Sequence, residues 1–129
     1  MTSPAAQAQE ALRALRDTAT VEGRTISGYF YLGESPQDQG YRVKLTLRVT
    51  HDAQLKRYVA ELDVTETRTE RGQYGYRHGV EMPRALLGQV PASRMSASRL
   101  EQLFTKALAD LKADPAPLIK LLEAEEQRQ

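Results

Sequence analysis

Two tyrosines and a set of cations recur at every second position along neighbouring extended stretches of this chain. Tyr29 and Tyr31 lie in one stretch, Arg42, Lys44 and Arg48 in the next, and Arg77 in a later one. Alternate residues of a strand share a face, so this spacing collects rings and cations on one side of a sheet. Such a surface suits single-stranded nucleic acid: flat rings stack on bases while cations meet phosphates. Stacking contributes about 1–3 kcal/mol per base. The plainer alternative is a solvated, salt-bridged sheet face. Tyrosine is a favoured strand residue in any sheet, and Glu61, Asp63 and Glu81 dilute the positive potential on the same side.

Other chemistry is sparse. Arg94 and Arg99 flank Ser96 and Ser98 where a helix is expected to begin, an arrangement suited to an anion because free N–H groups point outward there. Ordinary capping by serine explains the same residues. Arg68 and Arg71 flank a polar turn that reads either as a phosphate contact or as a solubilising loop. His51 falls in an expected loop and reads as a surface residue, and His78 shares a strand face with Val80 and Met82 and reads as a packing residue. The two histidines lack metal-ligand spacing, and no His-Glu-x-x-His or cysteine cluster occurs. No nucleophile elbow, Walker loop or dinucleotide-binding glycine pattern is present. The glycines Gly72, Gly75 and Gly79 follow a turn and enter a strand, which is the wrong context for a phosphate cradle. Glu61 and Asp63 share a strand face as a carboxylate pair, but a flat face neutralised by Lys44 and Arg48 gives them no cleft. The expectation is a non-enzyme with no catalytic residues, no metal and no cofactor.

The elements that must position these residues centre on a long hairpin. Tyr41 to Thr50 alternates apolar and polar without a break, and Tyr58 to Thr65 nearly does. Tyr41, Val43, Leu45, Leu47 and Val49 form one side of the first strand; Tyr58, Ala60, Leu62 and Val64 match them on the second. The expected register pairs Val49 with Tyr58, Leu47 with Ala60, Leu45 with Leu62 and Val43 with Val64. On the other face it sets Lys44 against Asp63 and Thr46 against Glu61, with Arg48 diagonal to Glu61. His51 to Lys56 is the connection.

Ahead of this hairpin, Ser3-Pro4 opens an alanine-rich helix to Asp17, with Ala8, Leu12 and Leu15 as a narrow apolar stripe that must dock on the sheet or on another subunit. Thr18 to Gly23 breaks it. Arg24 to Leu32 reads as the first strand, Ile26, Gly28, Phe30 and Leu32 on one face and Ser27, Tyr29 and Tyr31 on the other; Gly28 marks a bulge or a close backbone approach. Gly33 to Gly40 reads as a loop. Gln73 to Met82 is the fourth strand, weakened by glycines that suit a short or bulged edge, with Tyr74, Tyr76, His78, Val80 and Met82 on one side. A short helix is expected over Arg84 to Val90. Ser98 and Glu101 form a capping box that opens the best helix, Arg99 to Ala113. A last helix spans about Pro117 to Glu126, and its Leu118, Ile119, Leu121 and Leu122 must cover the sheet edge or meet a partner.

The fold class is therefore α+β: an N-terminal helix, a four-stranded antiparallel meander and C-terminal helices on one sheet face. Residues 1–129 form a single domain, with the helix and its connection at 1–23, the sheet at 24–82 and the helical part at 83–129. A chain of 129 residues is the usual size of one domain. The charged fraction of 27% is ordinary for a soluble protein, and no apolar run approaches a membrane span. The start lacks a basic-then-apolar leader and cysteine is absent, which points to a cytoplasmic protein with no membrane partner. A net charge of +1 argues against nucleic-acid binding by the molecule as a whole, so any such binding needs charges gathered on one face.

The first functional reading is a non-enzymatic domain binding single-stranded DNA or RNA through Tyr29, Tyr31, Arg42, Lys44, Arg48 and Arg77. Four strands followed by a helix, with the stretch Arg77-His78-Gly79-Val80-Glu81-Met82-Pro83 entering the helical part, is similar in outline to the Whirly-type and coactivator-type single-strand binders. That likeness is one of fold outline and covers few residues. The alternative is a protein-interaction adaptor or small chaperone, acting as a homodimer or on another protein, with the first helix and Leu118, Ile119, Leu121 and Leu122 at the interface. A third reading, a ligand cavity between the sheet and Arg99–Ala113, lacks polar lining in the sequence.

Overall fold

The computed structural model describes residues 3–35, 41–68, 73–82 and 94–128, and the side chains among them except at 33–35, 41–42, 66–68, 73–81 and 126–128. Its elements are α1 (Pro4–Asp17), β1 (Thr20–Glu22), β2 (Thr25–Ser35), β3 (Tyr41–Asp52), β4 (Arg57–Arg68), β5 (Gln73–Glu81), α2 (Ala97–Ala113) and α3 (Ala116–Arg128). The order is the expected one: helix, antiparallel meander, helices. The stretch read only as a helix break also carries the short strand β1, so the sheet is five-stranded, in the order β1-β2-β3-β4-β5. The short helix expected over Arg84 to Val90 lies outside the described residues.

Alternation decides which face is covered. Val43, Leu45, Leu47 and Val49 of β3 and Ala60, Leu62 and Val64 of β4 are buried beneath the helices. Ala8, Ala11 and Leu15 of α1, five residues of α2 from Leu100 to Leu111, and Leu118, Leu121 and Leu122 of α3 close the same core. α1 packs on β2 and β3, α2 on β1 to β3, and α3 on β4. Each fully buried leucine contributes roughly 1.5–3 kcal/mol, which is what holds so marginal a helix as α1 on the sheet. The Leu118–Leu122 cluster packs inward, on α1 and the inner strand β4 rather than on a sheet edge. Leu118, Leu121 and Leu122 are buried within the chain, and of the four only Ile119 keeps part of its surface open.

Gly28 is a close approach rather than a bulge. A Cβ there would lie 2.0 Å from the Leu15 carbonyl oxygen, so the missing side chain is what lets α1 lie against β2. The irregularity in β2 instead falls between Tyr31 and Gly33.

The central register differs from expectation by two residues. Val49 pairs with Ala60, Leu47 with Leu62, Leu45 with Val64, Thr46 with Asp63, Arg48 with Glu61 and Lys44 with Thr65. A two-residue slip preserves the faces, so hydrophobic alternation alone could not detect it. The turn sets it. Asp52 Oδ1 accepts from the backbone N–H groups of Gln54 and Leu55, and Lys56 takes a positive φ of 50°. The reversal is therefore tight, and His51 becomes a strand residue paired with Tyr58. The loop assignment of His51 is corrected accordingly. It is 5% exposed on the core side, its ring edge-on to Tyr58 at 5.0 Å, and its Nδ1 accepts from Arg24 at 3.1 Å.

Ser3 caps α1 as expected, accepting from the Ala6 N–H at 3.2 Å. At α2 the cap is Ser96, whose hydroxyl accepts from the Arg99 N–H at 3.3 Å; Ser98 lies inside the first turn and does not open the helix. Among the described residues no helix is long and apolar enough to cross a membrane.

Candidate functional site

The face of the sheet turned away from the helices carries Tyr29 and Tyr31, 39% and 40% exposed. They stand edge to face, ring centroids 5.3 Å apart. β3 supplies the cation: Tyr31 pairs with Lys44, and the Lys44 Nζ lies 5.6 Å from the centre of the Tyr29 ring. That separation is within the range of a cation–π contact. Tyr29 and Tyr31 are also placed by an unusual strand edge. β1 covers β2 only as far as Ser27, and beyond it the Thr18 hydroxyl takes the ladder position, accepting from the Tyr29 N–H at 2.8 Å.

Arg48 shares this face but is engaged. Its Nη1 donates to Oδ2 of Asp63, which is 1% exposed. A buried carboxylate holds its guanidinium partner tightly, because separating them would strand a charge. Arg48 is thus tied to a buried carboxylate, and its side chain stays partly exposed on the face where a phosphate contact is expected of it. Glu61 lies opposite Arg48 and is exposed, and by backbone position Glu81 lies opposite Glu61 on β5. The carboxylate pair Glu61 and Asp63 is divided accordingly: one carboxylate is at the surface and the other is buried in an ion pair. Thr46, between Tyr29 and Asp63 in the same row, is buried as well. Among the described residues neither its Oγ1 nor Asp63 Oδ1 has a hydrogen-bond partner. Alternation read this row as solvated, so burial on the open face is something the sequence did not signal.

The side chains of Arg42 and Arg77 lie outside the described residues. By backbone position, Arg42 lies opposite Thr67, and Arg77 sits where the β4–β5 register shifts. That shift corrects the reading of β5. Val80 and His78 face Leu62 and Val64 of the core rows, but Tyr76 falls opposite Thr65 and Tyr74 opposite Thr67. One register row therefore runs Tyr31, Lys44, Thr65, Tyr76. Sequence reasoning put Tyr74 and Tyr76 with His78, because strict alternation has no place for an extra residue. The glycines Gly75 and Gly79 were the available signal.

The residues expected to hold an anion lie at the start of α2. Ser96 is occupied as the cap, Arg94, Ser98 and Arg99 are exposed, and the Arg94 carbonyl accepts from the Tyr58 hydroxyl at 3.3 Å. Capping accounts for Ser96.

No known family model matches the chain, and no curated relative or solved structure matches it either.

Proposed function

We propose that the protein is a non-enzymatic binding domain that takes a short run of single-stranded nucleic acid across the open face of its sheet. The observation that supports this most is the grouping of Tyr29, Tyr31 and Lys44 on the side away from the helices. The two rings offer bases a stacking surface, and the ammonium beside them meets a phosphate. Arg48 is left out of the contact set because Asp63 holds it. The exposed Glu61 repels phosphates at one end of the face and sets where the strand stops.

The experiment is a titration with labelled single-stranded DNA and RNA oligonucleotides at two salt concentrations. The expected result is affinity that falls with salt and drops about 10-fold or more in Tyr29→Ala and in Tyr31→Ala, each of which removes one stacking surface. Both variants keep the wild-type melting temperature closely, since neither ring is in the core. Absence of binding to either strand at low salt rejects the proposal.

A further inference from the structure

A second surface lies on the other side of the sheet, in the helical layer. α1, α2 and α3 meet along a groove of about 700 Å³. Its apolar lining comes from Leu12 on α1, Leu108 on α2 and Ile119 on α3, with Ala5 and Ala8 beside them. The three large side chains are only partly buried, so the groove is an open trench with greasy walls. Arg13, Arg16 and Lys112 are its charged residues, all exposed, and no carboxylate lines it. Arg16 lies against Asp17, but among the described residues Arg13 and Lys112 have no acidic partner. Arg16 and Lys112 also sit in the last turns of their helices, where a cation is favoured by the helix dipole. That explanation does not reach Arg13, a turn further back.

We propose that this trench binds an acidic amphipathic helix of another protein. Charge complementarity decides the sign of the partner: with Arg16 offset by Asp17, Arg13 and Lys112 remain as uncompensated cations and no carboxylate lines the trench, so a basic segment is repelled and an acidic one attracted. Shape decides its form. From Ala5 to Arg16 the trench follows α1 for about 16 Å, or three helical turns. An acyl chain lying in an open trench would leave one side in water. An amphipathic helix covers the apolar walls and presents its own polar face outward. A second copy of this chain is a poor occupant, because the apolar residues of α2 and α3 are already committed to its own core.

The test uses the full chain and a labelled peptide of about four helical turns, with leucines three and four residues apart and glutamates flanking them. Controls are a scrambled peptide of the same composition, the Lys-for-Glu counterpart, and laurate. The expected result is saturable one-to-one binding of the acidic peptide alone. Arg13→Glu combined with Lys112→Glu weakens it at least about 10-fold, more at low salt than at high. Ala109→Glu, at an exposed position of the lining, does the same by filling the trench and repelling the peptide. Thermal melts of both variants confirm that they fold, and either alone suffices for the comparison. Failure of the acidic peptide to bind overturns the proposal. So does equal binding of the scrambled peptide, affinity unchanged in the folded variants, or binding of laurate in its place.

Discussion

The Thr18 hydroxyl and the Tyr29 backbone N–H, 2.8 Å apart, join the end of the first helix to the strand that carries the tyrosine pair. The same hydroxyl lies 2.7 Å from the Ala14 carbonyl, to which it donates, so one side chain closes a helix and continues a sheet edge. Thr18→Val keeps the shape and removes both bonds. The expected loss is about 1 kcal/mol of stability, by chemical denaturation. The Tyr29 amide should also exchange its hydrogen faster relative to its neighbours. Unchanged exchange at Tyr29 would show that the strand edge does not depend on this contact.

Gly28→Ala should be among the most damaging small changes in the chain. Its Cβ would collide with the Leu15 backbone, which cannot rotate away as a side chain would. Either α1 lifts or β2 bends, at a cost of about 2–3 kcal/mol. Circular dichroism melts measure this, and a neutral result would mean that α1 is not seated on β2.

The buried polar row beneath the tyrosines makes opposite predictions for its members. Thr46→Val removes an unpartnered buried hydroxyl while keeping a β-branched side chain, and should be neutral or stabilise by up to about 1 kcal/mol. Arg48→Met strands the Asp63 carboxylate and should destabilise by about 2–4 kcal/mol. Adding Asp63→Leu to Arg48→Met should recover most of that loss, because the desolvated charge is gone. Additivity in this double-mutant cycle would mean that the pair is not coupled.

Lys44→Met separates the charge at the candidate interface from its stem. Oligonucleotide affinity should fall, and the slope of log affinity against log salt should shrink by about one phosphate contact. Stability should change by less than about 0.5 kcal/mol, since the half-buried methylene stem is retained. The same substitution should leave binding of the acidic peptide unaltered, because Lys44 and the helical trench lie on opposite sides of the sheet.

How far the sequence could be read is clearest where alternation succeeds and where it fails. Tyr29 and Tyr31 were placed correctly on the open face, and Ile26, Phe30 and Leu32 on the covered one, because period two is a local property. The pairing of β3 with β4 was placed two residues out, because either register buries the same apolar set. Tyr74 and Tyr76 were assigned to the wrong rows for a related reason: one extra residue near Arg77 exchanges the faces of everything before it.

The amino-acid order by itself determined an α+β chain with a helix opened by Ser3-Pro4, a long alternating hairpin, and a leucine-lined C-terminal pair of helices. Those follow from caps, turn residues and the period of apolar side chains, all of which act over a few residues. Tertiary structure alone decided that His51 is interior, that Arg48 pairs with the buried Asp63, and that Leu12, Leu108 and Ile119 line one trench. These depend on contacts between residues far apart in the chain, where a turn of one residue more or less changes which side chains meet.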